Sequence, residues 1–182
     1  MPDVARLLVP ESSAIVAPDR LRALFEAHFD FVWRSLRRLG VPQATVDDAT
    51  QEVFLVLSRR LDDVELGREK SFLFSTALRV ASTARRSQAR RGAHDDTVDE
   101  LVDGAPSPSD VVDRQNARRV LDRVLAALEI DLRAVFVLYE LEEMTMAEIA
   151  AALDLAPGTV ASRLRRARET FAAEAARVRG EL

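Results

Sequence analysis

The chain has no cysteine, one lysine, two histidines and only 5% aromatic residues among 182 positions. Each shortage excludes something. Without cysteine there is no disulfide and no thiolate metal site. With two histidines besides, only carboxylates remain for enzyme chemistry. The sequence holds no phosphate loop, no GxGxxG, no nucleophile elbow and no metal-ligand spacing. No enzyme activity, cofactor or metal is therefore expected. No apolar run approaches the ~20 residues needed to cross a bilayer. The start, MPDVARLLVPESSAIVAP, lacks a basic segment followed by a sustained apolar one, so it makes a poor signal peptide. The expectation is a soluble cytoplasmic protein without membrane insertion.

What is present is arginine. Hydrophobic content of 48% suffices for real cores, and net charge is −4. That sum argues against a nucleic-acid partner, but the distribution reverses the inference. Twenty-five of the 26 basic residues are Arg, the residue of bidentate phosphate and guanine contacts. Residues 85–91 hold four arginines and residues 163–168 hold four more. Between them, residues 92–113 carry seven acids and no Lys or Arg.

The apolar pattern is helical throughout and no strand-like alternation competes, which predicts an all-α fold. Residues 1–18, with three prolines, read as a loose leader. Asp19 to Leu39 reads as a helix with Leu21, Leu24, Phe25, His28, Val32 and Leu36 on one stripe; His28 is a packing residue there, not a ligand. Gly40-Val41-Pro42 ends it. A second helix starts at Thr45, with Asp48 as cap partner and Val46, Ala49, Val53, Val56 and Leu57 inside. After a polar loop over 62–70, a third helix runs from Ser71 to about Arg91. Residues 92–113 form an acidic linker by composition. Helices resume near Ser109; Val120, Val124, Leu125 and Leu128 make one face, and Leu132, Val135, Phe136, Leu138 and Tyr139 the next. The result is two small helical domains, 19–91 and 114–182, on a tether.

The last quarter, TMAEIAAALDLAPGTVASRLRRAR, is the most specific stretch. Thr145 and Glu148 form a capping box that opens a short helix. Ala147, Ile149, Ala150 and Leu153 supply its apolar face. Asp154-Leu155-Ala156 is a turn, and Pro157 suits the first position of a new helix. Val160, Leu164 and Ala167 then share a buried face, with Phe171 completing the core. Thr159, Ser162, Arg163, Arg165 and Arg166 are left on the other faces. Hydroxyls and guanidinium groups on a helix braced by a smaller one make a helix-turn-helix.

Two stretches together resemble a known family. Asp48-Ala-Thr-Gln51-Glu52-Val-Phe54 is similar to the D-x-x-Q-E-x-F signature of bacterial RNA polymerase sigma factors. Val135 through Ala150, then Pro157-Gly-Thr-Val and Ser162 to Arg168, resembles their region 4. Two such domains with only a short linker look like the extracytoplasmic-function (ECF) class, over roughly residues 19–172. Phe72, Thr76, Thr83, Glu143 and Ala161 stand where the family more often has Trp, Ile, an acid, Gly and Lys.

The resemblance implies partners and sites. Asp48, Gln51, Glu52 and Leu55 would grip a coiled coil of core RNA polymerase. Lys70, Phe72, Arg79, Arg85 and Arg86, with the loop before them, would meet promoter DNA at the minus-ten element; Phe74 is, like Phe72, a candidate for base contact, though a Phe at helical spacing is more often core. Thr159, Ser162, Arg163, Arg165 and Arg166 would read the minus-thirty-five element. An anti-sigma factor is a further implied partner. Elements about twenty-five base pairs apart lie roughly 85 Å apart at ~3.4 Å per pair. Two compact domains of this size span ~28 Å of that, leaving ~55–60 Å for the tether, and the 22 residues from 92 to 113 reach ~75 Å when fully extended but span only about 26 Å when relaxed. The linker would thus need polymerase to draw it out. The alternative is a stand-alone helix-turn-helix regulator, which would be a dimer on palindromic half-sites and would leave the Asp48–Phe54 helix without a purpose.

Overall fold

A computed structural model describes residues 12–92 and 109–180, with side chains over 19–88 and 117–180. The described residues hold seven helices and no strand. In chain order they are α1 (Ser12–Arg38), α2 (Val46–Arg59), α3 (Glu69–Gly92), α4 (Ser109–Ala126), α5 (Ile130–Phe136), α6 (Met146–Leu153) and α7 (Pro157–Gly180). α1 thus begins inside the stretch read as a leader, and α4 inside the stretch read as a linker. The acids Asp95, Asp96, Asp99 and Glu100 lie outside the described residues.

Helices α1 to α3 pack on one another around Val32, Leu36, Val53, Leu57, Leu73 and Phe74, all fully buried. α1 stops where its pattern says it should. Gly40 takes φ +95, a left-handed conformation that costs glycine little. The Gly40 N–H then bonds the Arg37 carbonyl at 2.9 Å and the Val41 N–H bonds that of Leu36 at 3.0 Å, a Schellman ending. His28 is half-buried, and burial holds its pKa below the usual value, as a packing histidine requires. Phe25, expected inside, is instead 42% exposed. Its ring leans on Phe54 and Phe29, at 4.7 and 5.2 Å between centroids.

The two threonine caps part company. Thr145 sits in extended backbone, at ψ 157, and forms the full capping box: its N–H donates to Glu148 Oε2 at 2.8 Å, and the Glu148 N–H donates to its hydroxyl at 3.3 Å. Thr45 forms no cap bond, and the expected Asp48 partnership is absent. A 3₁₀ turn over Gln43–Thr45 leads into α2 and leaves Thr45 at ψ 1, outside the extended region an N-cap needs. Its hydroxyl lies 3.4 Å from the Pro42 carbonyl instead.

α4, α5 and α6 all lean on α7. Between α5 and α6 the chain makes a π turn, Val137–Leu141, closed by the Glu142 N–H on the Val137 carbonyl at 3.0 Å. Glu143 follows at φ +54. This left-handed position explains physically why glycine suits it better than a residue with a Cβ. Asp154 takes the same region, φ 52, in the turn of the hairpin, and Pro157 opens α7. Val160, Leu164 and Ala167 are buried as their spacing predicts, and Phe171 stacks on Phe136 at 4.6 Å. α6 is rotated from its expected phase: Ala147 is exposed and Ala152 buried. The reason is that α6 packs on α3 as well as on α7.

That last contact joins the two helix groups. One contiguous set of buried residues runs through both. Arg38 at the end of α1 pairs with Glu142, and Arg37 Nη2 lies 3.8 Å from Asp122 Oδ2. The two groups thus lie side by side along a seam.

Candidate nucleic-acid and protein interfaces

α2 presents one clean outward stripe. Its inner face, Val46, Ala49, Thr50, Val53, Phe54 and Leu57, is buried. The opposite positions Asp48, Gln51, Glu52 and Leu55, spaced three and four apart, are all exposed. Leu55 is 48% exposed, an apolar centre among polar neighbours. Asp48 and Glu52 make no ion pair among the described residues. The neighbouring Asp47 is engaged, accepting from Trp33 Nε1 at 2.9 Å, which pins α2 to α1. The structure therefore brings the four stripe residues together, on a rigid helix, with their polar groups uncommitted.

The next candidates divide. Lys70 and Arg79 are exposed on α3. Arg86 is exposed too, its Nε donating to the Ser82 carbonyl at 3.2 Å. Phe72 is half-buried, with the Arg60 guanidinium 5.7 Å from its ring centre. Phe74 is 0% exposed and belongs to the core, so it is not available to a base. Arg85 is turned into the seam, with its Nη1 buried and unpartnered. Thr76, where the family more often has Ile, is 3% exposed and bonds the Phe72 carbonyl at 2.9 Å, which satisfies its hydroxyl.

The loop before α3 has one feature the sequence left unnamed. Leu66 is 85% exposed at its tip, beside Gly67 at φ +83. Arg20 of α1 holds the base of this loop by donating to the Leu61 and Val64 carbonyls. Leu66 follows a buried Val64 and precedes Gly67 in a polar stretch. An isolated Leu there was the available signal, though no periodicity marks it.

In the hairpin, the candidate side chains share the outer faces of α7 but differ in commitment. Ser162 is exposed and spends its hydrogen on the Thr159 carbonyl at 2.9 Å; Thr159 itself is half-buried. Arg163 Nη2 pairs with Asp131 Oδ2 at 3.1 Å. Arg165 Nη1 pairs with Glu169 at 3.4 Å, both side chains well exposed, a pair that water and salt screen strongly. Arg168 lies over the Tyr139 ring at 5.0 Å and bonds Glu140 at 2.6 Å, which raises its pKa. Its role is to fasten α7 to the π turn. Arg166 is exposed and makes no ion pair among the described residues. Of the four arginines in this block, Arg166 and Arg165 are the most available to a phosphate or a guanine.

The second notable charge group lies in the seam. Arg133 is 3% exposed and its Nε has no partner. Burial, and then the nearby Arg85, pushes its pKa down to about 10 against the pull of Asp122. Asp122 in turn is raised by burial, with Arg37 the strongest influence in the other direction. Sequence reasoning missed this cluster because its members lie far apart in the chain.

No group of His, Cys, Asp or Glu among the described residues could hold a metal ion, and no described helix is long and apolar enough to cross a membrane.

Comparison with known proteins agrees with this layout. The sigma-70 region 2 family matches residues 24–91, and the sigma-70 region 4 family matches residues 118–171. The chain is 32% identical over 144 residues to the ECF RNA polymerase sigma-E factor of Escherichia coli K12, covering 72% of this chain and 74% of that one. It is 30% identical over 148 residues to the ECF RNA polymerase sigma factor SigE of Mycolicibacterium smegmatis, covering 80% of this chain but 58% of the relative's length. Among solved structures, CnrH in complex with the cytosolic domain of CnrY superposes with a TM-score of 0.63 at 25% identity, over 90% of this chain and 96% of that one. The sigma factor RpoE of Bartonella quintana, solved with the anti-sigma factor NepR, shares the fold with a TM-score of 0.60 at 23% identity, over 82% and 95% of the two chains. With both regions matched in order on an all-helical frame, the chain belongs to the sigma-70 family, in the ECF class of factors that direct RNA polymerase to promoters.

Proposed function

We infer that this sigma factor engages core RNA polymerase through the outward stripe of α2, and promoter DNA through α3 and α7. Asp48, Gln51 and Glu52 supply the charged and polar rim around Leu55, an arrangement that orients a partner and speeds its encounter. Lys70, Phe72, Arg79, Arg85 and Arg86 face the minus-ten element. Thr159, Ser162, Arg163, Arg165 and Arg166 face the minus-thirty-five element; arginines that touch only phosphate position the protein, whereas those that reach a base edge specify the sequence. Residues 19–91 and 114–182 act as the two modules and 92–113 as the spacer between them. The factor works by binding, in the cytoplasm, with no chemistry and no cofactor of its own. An anti-sigma factor belongs to this reading as well, since the Bartonella quintana RpoE was solved with one.

The observation that carries the polymerase assignment is the exposure of Asp48, Gln51, Glu52 and Leu55 as one uncommitted stripe over a fully packed inner face. Glu52→Arg tests it. The variant is expected to keep its helicity and to lose co-elution with core polymerase and run-off transcription together. Undiminished co-elution removes the stripe from the interface. The stand-alone regulator reading gives this stripe no role.

A further inference from the structure

Charge does not balance around the end of α1. Arg37 Nη1 donates to the Val41 carbonyl at 2.7 Å, and its Nη2 lies 3.8 Å from Asp122 Oδ2. Arg38 pairs with Glu142, whose side chain is only 9% exposed. Each carboxylate thus answers one cation. Arg85 of α3 and Arg133 of α5 are left over. A Cβ added to Gly40 would meet Arg133 Nη1 at 2.5 Å, Arg133 Cζ at 3.7 Å and Arg85 Cδ at 3.8 Å, so both side chains converge on one point. Arg133 is 3% exposed and Arg85 is half-buried. Neither makes an ion pair among the described residues. Arg133 Nε and Arg85 Nη1 are each buried without a hydrogen-bond partner.

Buried polar nitrogens are nearly always satisfied, by protein, by water or by an ion. Water would fill the hydrogen bonds here but leave two like charges facing each other. Asp122 does not serve, because Arg37 already engages it and burial raises its pKa. Arg34 and Arg118, whose charges also reach this region, are exposed and add to the positive potential. An anion removes both deficits at once. Each guanidinium presents a fork of N–H donors that meets an oxyanion two bonds at a time, and such charge-assisted bonds are about twice as strong as neutral ones. Glycine at position 40 leaves the space that Arg133 Nη1 occupies. Arg85, only half-buried, leaves a small anion a way in from solvent.

We propose that Arg85 and Arg133 together bind one small oxyanion of the phosphate class, held between their guanidinium groups beside Gly40. Arg133 supplies the fixed inner fork, and Arg85 closes on the anion from the solvent side. The site depends on neither the polymerase nor the promoter assignment above. Its tight surroundings admit a single tetrahedral group, which a free phosphate and the terminal phosphate of a nucleotide share. Binding neutralises the repulsion between the two arginines, so the pKa of Arg133, now held down by burial and by Arg85, moves back up.

The full chain is melted in chloride buffer and again with phosphate replacing chloride at equal pH and ionic strength. For a site half-filled near about 1 mM, about 50 mM phosphate should raise the melting temperature by about 5 °C. Arg133→Met should lose most of that rise, and Arg85→Gln likewise. Arg59→Gln, an exposed arginine on α2, should keep it. Phosphate strengthens burial in any protein through exclusion from its surface, so the difference between native chain and variants is the readout. Equilibrium dialysis with radiolabelled phosphate should find one saturable site per chain. An equal rise in the native chain and Arg133→Met overturns the site, as does no rise over chloride, or uptake that never saturates. Adenosine diphosphate in the same two assays separates the sources. Binding about tenfold tighter than phosphate assigns the site to a nucleotide's terminal phosphate, equal or weaker binding assigns it to the free ion, and both support the oxyanion site.

Discussion

Arg133→Met should make this protein more stable. Arg133 is 3% exposed and makes no ion pair among the described residues. Its pKa falls from the ordinary guanidinium value to about 10, chiefly through burial and then through Arg85. At 1.36 kcal/mol per pH unit, that drop means the fold disfavours the charged guanidinium by about 3 kcal/mol. Methionine keeps much of the apolar stem, adapts to irregular space and carries no charge. Some of the gain is lost, because Asp122 forfeits one of its attractive neighbours while retaining Arg37. Replacing buried charges by apolar residues commonly gains about 1–4 kcal/mol, so a net stabilisation of about 1–2 kcal/mol is expected. In urea, with an m-value of about 2 kcal/mol/M, the midpoint should rise by about 0.5–1 M at unchanged slope. The sign of the pH dependence is fixed as well. A base whose folded pKa is depressed destabilises the fold in full below that pKa, and the penalty fades as pH rises from about 10 toward the ordinary guanidinium value. The advantage of the variant should therefore be flat from pH 6 to 9 and shrink above 10. A midpoint that falls by 0.5 M or more at neutral pH would refute the reasoning, since the guanidinium would then have a partner worth more than its burial costs.

Glu143→Gly should stabilise the hairpin module by up to about 1 kcal/mol, read as a higher melting temperature, because Glu143 holds φ +54 with a Cβ; a lower melting temperature would show that glycine's unfolded-state entropy prevails. Thr145→Ala should cost about 1 kcal/mol by removing the N-cap. The hydroxyl and N–H of Thr145 hold the Glu148 carboxyl below its usual pKa, so the capping contribution should be present above the ordinary carboxylate range and decline as acid titrates Glu148; an equal Thr145→Ala effect at pH 7 and pH 3 would contradict this. Arg166→Ala should lower affinity for every promoter fragment and reduce the slope of log affinity against log salt by about one, whereas an arginine reading guanine loses ~1–3 kcal/mol on one base pair only. Arg165→Ala, measured in the same titration, should show the smaller salt effect because Glu169 already answers part of its charge.

The legible parts of this protein are those where local chemistry and tertiary packing ask for the same thing. Thr145 with Glu148, Pro157, and Val160, Leu164 and Ala167 announce the hairpin, and each occupies its expected place. Gly40 likewise announces the end of α1. Legibility fails where a distant element intervenes. Thr45 is followed by the same kind of acid as Thr145, but the turn at Gln43–Thr45 rotates its backbone out of the capping region. Ala147 and Ala152 are interchangeable by hydropathy, and only α3 packing on α6 decides which of them is inside. On α2, spacing alone separates the outward stripe from the core, because one helix face suffices to define both.

The charge pattern carries the larger lesson. Along the chain, Arg85 belongs to a basic run that suits DNA, and Arg133 is one cation in an amphipathic helix. Only the fold puts the two on either side of Gly40. A guanidinium that the sequence places in a basic run is thus half-buried in the seam with its Nη1 unpartnered, and the difference is a matter of what surrounds it. A buried, unpartnered cation stores free energy that solvent or phosphate can release.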